Sequence, residues 1–450
     1  MKKLISFLIL TFTFSTATEF SECIHLLNRT SLGVTSNELN SCLKDNNYKI
    51  SISNILKSTN KDTIKFQQKP DFAKKIIRPY KKMKYLNIGE RKAFRKNLNK
   101  QKMKMKKWWV NKLMTTQTPF LEKMVLFWHS HFTSSLIKVR QPALMYQQNQ
   151  LFRKYAFGNF GDLLHAIIED PAMLIYLDNR GNRKKHPNEN FARELLELFT
   201  LGEGNYSEKD IKALAKALTG YSLDKNMNFR FKKKIHDKSK KRFLEYYGNY
   251  NAHQLIDIIL EQEATSIFIV TKLWKTFIGY NPNSIEIKRL AKIFRNNNYE
   301  LKPLMQAMLN SKFFKDSSTK GIMIKSPIEF TVGTLRSFEY QDFDSRVILQ
   351  YSRRLGQNLL DPPNVKGWVG GKNWINANTL LIRKQFINRL TRGDSMKHLK
   401  LNLFDVNSTI QSRSEKAADT LLPVSVFITP ANNFNKTLKT ILQHPLYQLK

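Results

Sequence analysis

The sequence predicts a mainly α-helical, multi-helix globular protein with one small β-hairpin-like insertion, and three observations predict it. Gly and Pro number 17 and 14 in 450 residues, about 7% together against roughly 12% in average usage, and so few turn formers favour long helices. Hydrophobic residues make up 41% and aromatics 12%, which excludes wholesale disorder, a collagen-like repeat and a disulfide-held miniprotein. Apolar residues then recur at helical spacing behind capping signals along most of the chain. Charge is the unusual feature: 75 Lys and Arg against 36 Asp and Glu give a formal net charge of +39. That excess points to anionic partners rather than to an ordinary neutral cytosolic enzyme.

Residues 1–17 read as a secretory signal peptide, with basic Lys2 and Lys3, an apolar run from Leu4 to Phe14, and small Ser15 and Ala17 before cleavage. The run is too short to span a bilayer, which takes roughly 20 helical residues, and no later stretch of sequence reaches that length. Cys23 follows Phe20-Ser21-Glu22, with no small residue before it, so a lipid-anchored start is not expected. The mature protein is expected to be exported, periplasmic or extracellular. In that oxidising setting Cys23 and Cys42, the only cysteines, would form a disulfide. A short helix over 22–28, a turn at 30–33 and a Thr35-x-x-Glu38 capping box put them at the open end of a helical hairpin. Two buried free thiols are the alternative reading.

From Lys74 to Lys112 there are 16 Lys or Arg against one acid, Glu90. After Gly89 the apolar Phe94, Leu98, Met105, Trp108, Trp109 and Leu113 fit a helix with one buried stripe and basic remaining faces. Lys100, Lys102, Lys104, Lys106 and Lys107 are the residues that would hold an anionic envelope polymer or lipid surface. A solvated lysine-rich face is the plainer account. Zinc-finger spacing, ribonucleoprotein aromatics and a glycine-rich phosphate loop are absent, so sequence-specific nucleic-acid binding is not expected.

Further along, Thr118–Phe132 reads as helix, Asn188–Leu201 as a helix ended by Gly202, and Ser207-x-x-Asp210 as the cap of a helix closing at Gly220. The stretch between Phe229 and Tyr247 is the one expected to form strands. Asn283-x-x-Glu286 caps another helix, and apolar periodicity continues through 301–308, 327–338 and 380–390. One helical domain is expected over 18–392, then a polar linker or loop over 393–432 and a C-terminal helix over 433–443.

Four collinear segments carry a family resemblance: FWHSHFTSS (127–135), NENFARELLELFTLGEG (188–204), DIKALAKALTGYS (210–222) and DPPNVKGWVGGKNWIN (361–376). HLLNRTSLG (25–33), FGNFGDLLHAIIEDPAMLIYLDN (157–179) and LGQNLL (355–360) support it. Together they resemble the bacterial family called domain of unknown function 1800 over nearly the whole mature chain. The resemblance implies an exported, mainly helical protein of unassigned activity, often encoded beside a sulfatase-like exported partner. The chain departs from the family pattern at Phe199, where His is usual, and at Ser239 and Glu245, where Gly is expected.

The polar residues allow two chemistries. Glu194 and Glu197, three apart on a helix, could hold a divalent metal ion or divide acid and base roles, because close carboxylates push one pKa up. Glu189, Arg193 and Glu197 equally make a ladder of salt bridges. His129 and His131 lie about 200° apart on a helix, so at most one is a metal ligand; His131 is the choice, because the resemblance is strongest there, with Glu194 as its companion. His236 and Asp237 form a loop pair suited to general-base work. Trp368 and Trp374, in a glycine-rich loop, offer flat apolar faces for a sugar ring or a partner surface, or else pin the loop to the core. The favoured reading is an exported binding or assembly protein; the alternative is a metal-assisted hydrolase acting on an envelope polymer.

Overall fold

Side chains that accept a helix's first free amides set most of the helix starts. Capping boxes stand at Thr35 with Glu38, Asn87 with Glu90, Ser207 with Asp210, Asn251 with Gln254, Ser326 with Glu329 and Asn376 with Thr379, each satisfying two donors that a helix end leaves open. The computed structural model describes residues 19–45, 47–59, 68–78, 83–340, 342–401, 404 and 408–450. The expected signal peptide over 1–17 lies outside these residues, as do residues 79–82 of the basic stretch.

The chain opens with helices over 19–30 (α1), Ser36–Lys44 (α2), Tyr48–Ser58 (α3) and the long Ile88–Thr115 (α4). A second group is Pro119–His131 (α5), Leu136–Val139 (α6), Pro142–Lys154 (α7), Phe160–Ile167 (α8), Pro171–Tyr176 (α9), Asn190–Glu194 (α10) and Glu208–Ala217 (α11). Two separate antiparallel pairs follow: β1 (Tyr221–Leu223) with β2 (Phe229–Phe231), and β3 (Lys241–Phe243) with β4 (Tyr246–Gly248). The strand region thus begins at Tyr221, earlier than expected, because Tyr221 pairs with Phe231. After it come α12 (Ala252–Glu261), α13 (Glu263–Phe277), α14 (Ser284–Asn296), α15 (Leu301–Leu309), α16 (Lys312–Lys315), α17 (Pro327–Ser337), α18 (Ser345–Arg354), α19 (Ala377–Leu390), α20 (Ile410–Leu421) and α21 (Phe434–Gln443). The fold is mainly α with two small hairpins.

Helix α20 lies inside the stretch expected to be polar linker or loop, and that expectation is corrected here. Its Ala417, Ala418 and Leu421 are buried and α20 packs on α21; three apolar residues on one face suffice once a neighbouring helix covers them. No helix among the described residues is long and apolar enough to cross a membrane.

Cys23 and Cys42 form a disulfide with Cα atoms 5.9 Å apart, joining α1 to α2. Helix α5 is the centre of the core: Phe120, Leu121, Met124, Val125 and Trp128 are buried, and Trp128 stacks with Phe132 and Phe160. Because α5 is buried almost all round, its polar Glu122, Lys123, His129 and His131 are buried too. Each therefore needs a partner or must give up its charge.

Candidate functional site

Helix α5 presents Lys123, Phe127, Ser130 and His131 to a cavity of about 290 Å3. Helix α13 supplies Lys272, Lys275 and Thr276, the start of α17 supplies Ser326 and Glu329, and Lys450 closes one end. The opposite wall is the glycine-rich loop, with Lys366, Trp368 and Trp374.

That loop is held by close backbone approach. Gly367 has φ +84°, and a Cβ on it would come 2.3 Å from the carbonyl oxygen of Ser130, so only glycine lets the loop touch α5. The amide of Trp368 donates to Ser130 Oγ at 3.3 Å. Upstream, Asp361 accepts from Lys106 at 2.7 Å, from Ser135 Oγ at 2.8 Å and from the amide of Ile137 at 3.0 Å. The loop is thus anchored at both ends, and Trp368 and Trp374 are buried at 9% and 7% exposure. They pin the loop and line the cavity at once.

Charge in the cavity is lopsided. Glu329 is the one carboxylate among its described lining residues, against five lysines. It pairs with Lys123 at 2.8 Å and with Lys450. Burial pushes the Glu329 carboxyl up, but the two ammonium groups outweigh it and hold the carboxyl well below the usual range. Burial conversely drags lysines down: Lys450 and Lys325 to about 7, and Lys272 to about 8. Lys272 donates to the carbonyl of Leu198 at 2.7 Å and lies 3.3 Å from His131 Nδ1.

His131 is fully engaged. With Nδ1 against the Lys272 ammonium, Nε2 carries the proton and donates to the carbonyl of Phe199 at 3.1 Å. Burial and then the Lys272 charge hold its pKa well below the ordinary value, so it stays neutral. Phe199, where the resemblance leads one to expect His, is buried with its ring 5.8 Å from His131.

The other expected residues lie apart from this cavity. Arg193 pairs with Glu189 at 3.4 Å and, on both nitrogens, with Glu208 at 2.7 and 2.9 Å. Glu197 accepts instead from Tyr206 Oη at 3.3 Å. The expected ladder stops there because Leu195–Thr200 is π-helical, and the wider turn between Arg193 and Glu197 breaks the four-residue alignment. Glu194 is raised by burial and then by Glu197, with Lys366 and Arg193 opposing. His236 Nδ1 donates to the carbonyl of Thr219 at 2.8 Å, and the Asp237 amide donates to Thr219 Oγ1 at 2.7 Å, so both hang on the Thr219-Gly220 turn. Asp237 loses ground to burial, yet hydrogen bonds from Ser239 hold its carboxyl low. No group of three or more His, Cys, Asp or Glu among the described residues is placed to hold a metal ion.

A family model described as "Protein of unknown function (DUF1800)" matches residues 25–449. The chain belongs to this family. No curated protein and no solved structure is similar to this family member at a significant level. The motifs that carry the membership now have structural explanations: HLLNRTSLG places buried Arg29 and the disulfide-bearing helix, FWHSH builds α5, and DPPNVKGWVGG makes the anchored loop. What sequence reasoning missed is the set Lys123, Lys272, Glu329 and Lys450. A signal existed for Lys123, a charge flanked by Leu121, Met124 and Val125 on a helix apolar all round; Glu329 fell inside the 327–338 stretch, which was read only for its apolar periodicity.

Proposed function

We propose that this protein is exported and binds an anionic polymer of the cell envelope along α4. The observation that supports this is the geometry of the helix's first half. Arg91, Lys92, Arg95, Lys96, Lys100 and Lys104 are exposed, and Lys92, Lys96, Lys100 and Lys104 follow at four-residue steps. A helix rises 1.5 Å per residue, so the four ammonium stems stand in one row about 18 Å long, with a step of about 6 Å. The only acid there, Glu90, is bonded into the Asn87 cap. Such a row suits the repeated charges of a sulfated, phosphorylated or uronate polymer.

Within the basic cluster, Lys100 and Lys104 belong to the row, while Lys102 and Lys107 are half-buried. Lys106 is committed to Asp361 and Asn358, so it holds the glycine-rich loop rather than a ligand. The separate hydrogen-bond partners of His131, His236 and Glu197 favour binding over the metal-assisted hydrolase reading.

The test is heparin binding by the mature protein across a salt series. The expected result is an affinity that falls steeply with salt, and a Lys92, Lys96, Lys100, Lys104→Ser variant at least tenfold weaker with a shallower salt dependence. Salt-independent binding, or an unaffected variant, would overturn the reading. Stoichiometric metal in purified protein, lost in both Glu194→Ala and His131→Ala, would install the hydrolase reading in its place.

A further inference from the structure

The cavity is a different kind of place from the α4 row. It is a partly open cleft whose volume of about 290 Å3 lies just under the roughly 300–1,000 Å3 range of ligand pockets, room for one sugar-sized molecule.

Its charge is uncompensated. Glu329 is already shared by Lys123 and Lys450, so it is not free to neutralise the rest. Among the described residues Lys272 has a carbonyl, the imidazole of His131 and the ring of Phe268, and no carboxylate. Lys275 and Lys366 are exposed at the cavity's edge, and Lys366 influences the Glu194 carboxylate without pairing to it. Lys272, half-buried among Leu198, His131 and Phe268, bears part of the cost of an unpaired cation, and an anion entering the cavity relieves it while meeting Lys275 and Lys366 at the edge.

A second observation is independent of charge. The indole N–H of Trp368 is buried and has no hydrogen-bond partner among the described residues, although Trp368 is one wall of the cavity. Because that N–H has almost no accessible surface, an occupant with acceptor oxygens would satisfy it only by turning the indole toward the cavity. Trp374, Phe127 and Leu126 complete an apolar surface on the same cavity. Cations beside flat aromatic walls select a ligand with an oxyanion attached to a compact ring having an apolar face.

We propose that this cavity binds a single sugar unit bearing a sulfate or phosphate ester, the oxyanion held by Lys272, Lys275 and Lys366 and the ring lying against Trp368 and Trp374. The site is separate from the α4 row and does not depend on it.

The experiment is titration calorimetry of the full protein with glucose 6-sulfate, glucose 6-phosphate, glucose and inorganic sulfate. The expected result is 1:1 binding of one or both esters, with glucose silent and inorganic sulfate at least tenfold weaker; which ester binds tighter identifies the source of the oxyanion. A Lys275→Ala/Lys366→Ala variant, changed only at exposed positions, should lose at least tenfold in affinity, and Trp368→Phe, which removes the N–H together with part of the flat ring face, should lose affinity while remaining folded. The α4 serine variant should bind the ester as wild type does, so failure of the polymer reading and failure of this one are told apart. Binding of neither ester, equal binding by the double-alanine variant, or sulfate binding as tightly as the esters would overturn the proposal.

Discussion

Replacing Glu329 by Gln removes the one carboxylate that two buried lysines share while leaving the shape in place. Gln also keeps the capping box, because its amide oxygen can still accept from the Ser326 amide, as Glu329 Oε2 does at 2.9 Å. The change therefore isolates charge. Lys123, Glu329 and Lys450 have side chains only 5%, 12% and 6% exposed, so solvent screening does not discount the loss. Removing one partner of a buried pair costs about 3–5 kcal/mol. We expect Glu329→Gln to lose about 3–5 kcal/mol at pH 7 in urea unfolding. The sign of the pH dependence follows from the lysines. Their folded pKa values lie below the unfolded ones, so the unfolded chain binds more protons in that window and stability rises with pH. At pH 9.4, where the unfolded lysines are closer to neutral, the deficit should be smaller than at pH 7. A deficit under about 1 kcal/mol at pH 7, or one equal at both pH values, would refute the claim that Glu329 neutralises this part of the core.

Three further outcomes are expected. His129 is buried among Trp109, Phe152 and Trp368, and burial lowers its pKa to about 3. Its stabilising neutrality is complete above the unfolded value of about 6.5 and is lost as pH falls toward 3, about 2 kcal/mol by pH 5; denaturation at pH 8 and pH 5 should show His129→Phe flattening the acid limb by that amount. Opening the 19-residue separation bridged by Cys23 and Cys42 with Cys→Ser changes should cost about 3 kcal/mol, measured by urea unfolding against the reduced and oxidised wild type. Gly367→Ala, blocked by Ser130, should lift the loop from α5, lower stability by more than about 1 kcal/mol and change tryptophan fluorescence. An unaltered emission spectrum would show the loop in place.

Local physics was readable in the sequence; distant pairing was not. The Thr35, Ser207 and Asn283 caps, the hairpin-closing cysteines and the apolar stripe of α4 depend on neighbours a few residues away, and each stands in the structure. The π-turn at Leu195–Thr200 was invisible, because a helix with the same apolar residues can wind either way until its neighbours choose. Lys106 read as a surface charge because Asp361, its partner, lies 255 residues away. The cavity's lysines escaped for the same reason: nothing in TKLWKTF says that Lys272 faces inward onto α5. Helix α20 was missed because its polar composition hides the three residues that its neighbour covers.

The meeting of Lys123, Glu329 and Lys450 also has a kinetic side. Around it, Arg29 reaches Met323 and Thr319 from near the beginning of the chain, and Leu449 bridges to Ile324 near its end. Contacts so distant in sequence must wait for long loops to close, which slows folding. While the chain is being made, α5 can take shape with Lys123 unmatched, and the segment carrying Glu329 arrives some two hundred residues later. Lys450, made later still, then brings the second ammonium group. Until Glu329 is made, a nascent chain carries a basic, half-formed core open to solvent, the stage at which a holding chaperone or an anionic surface would have most to grip.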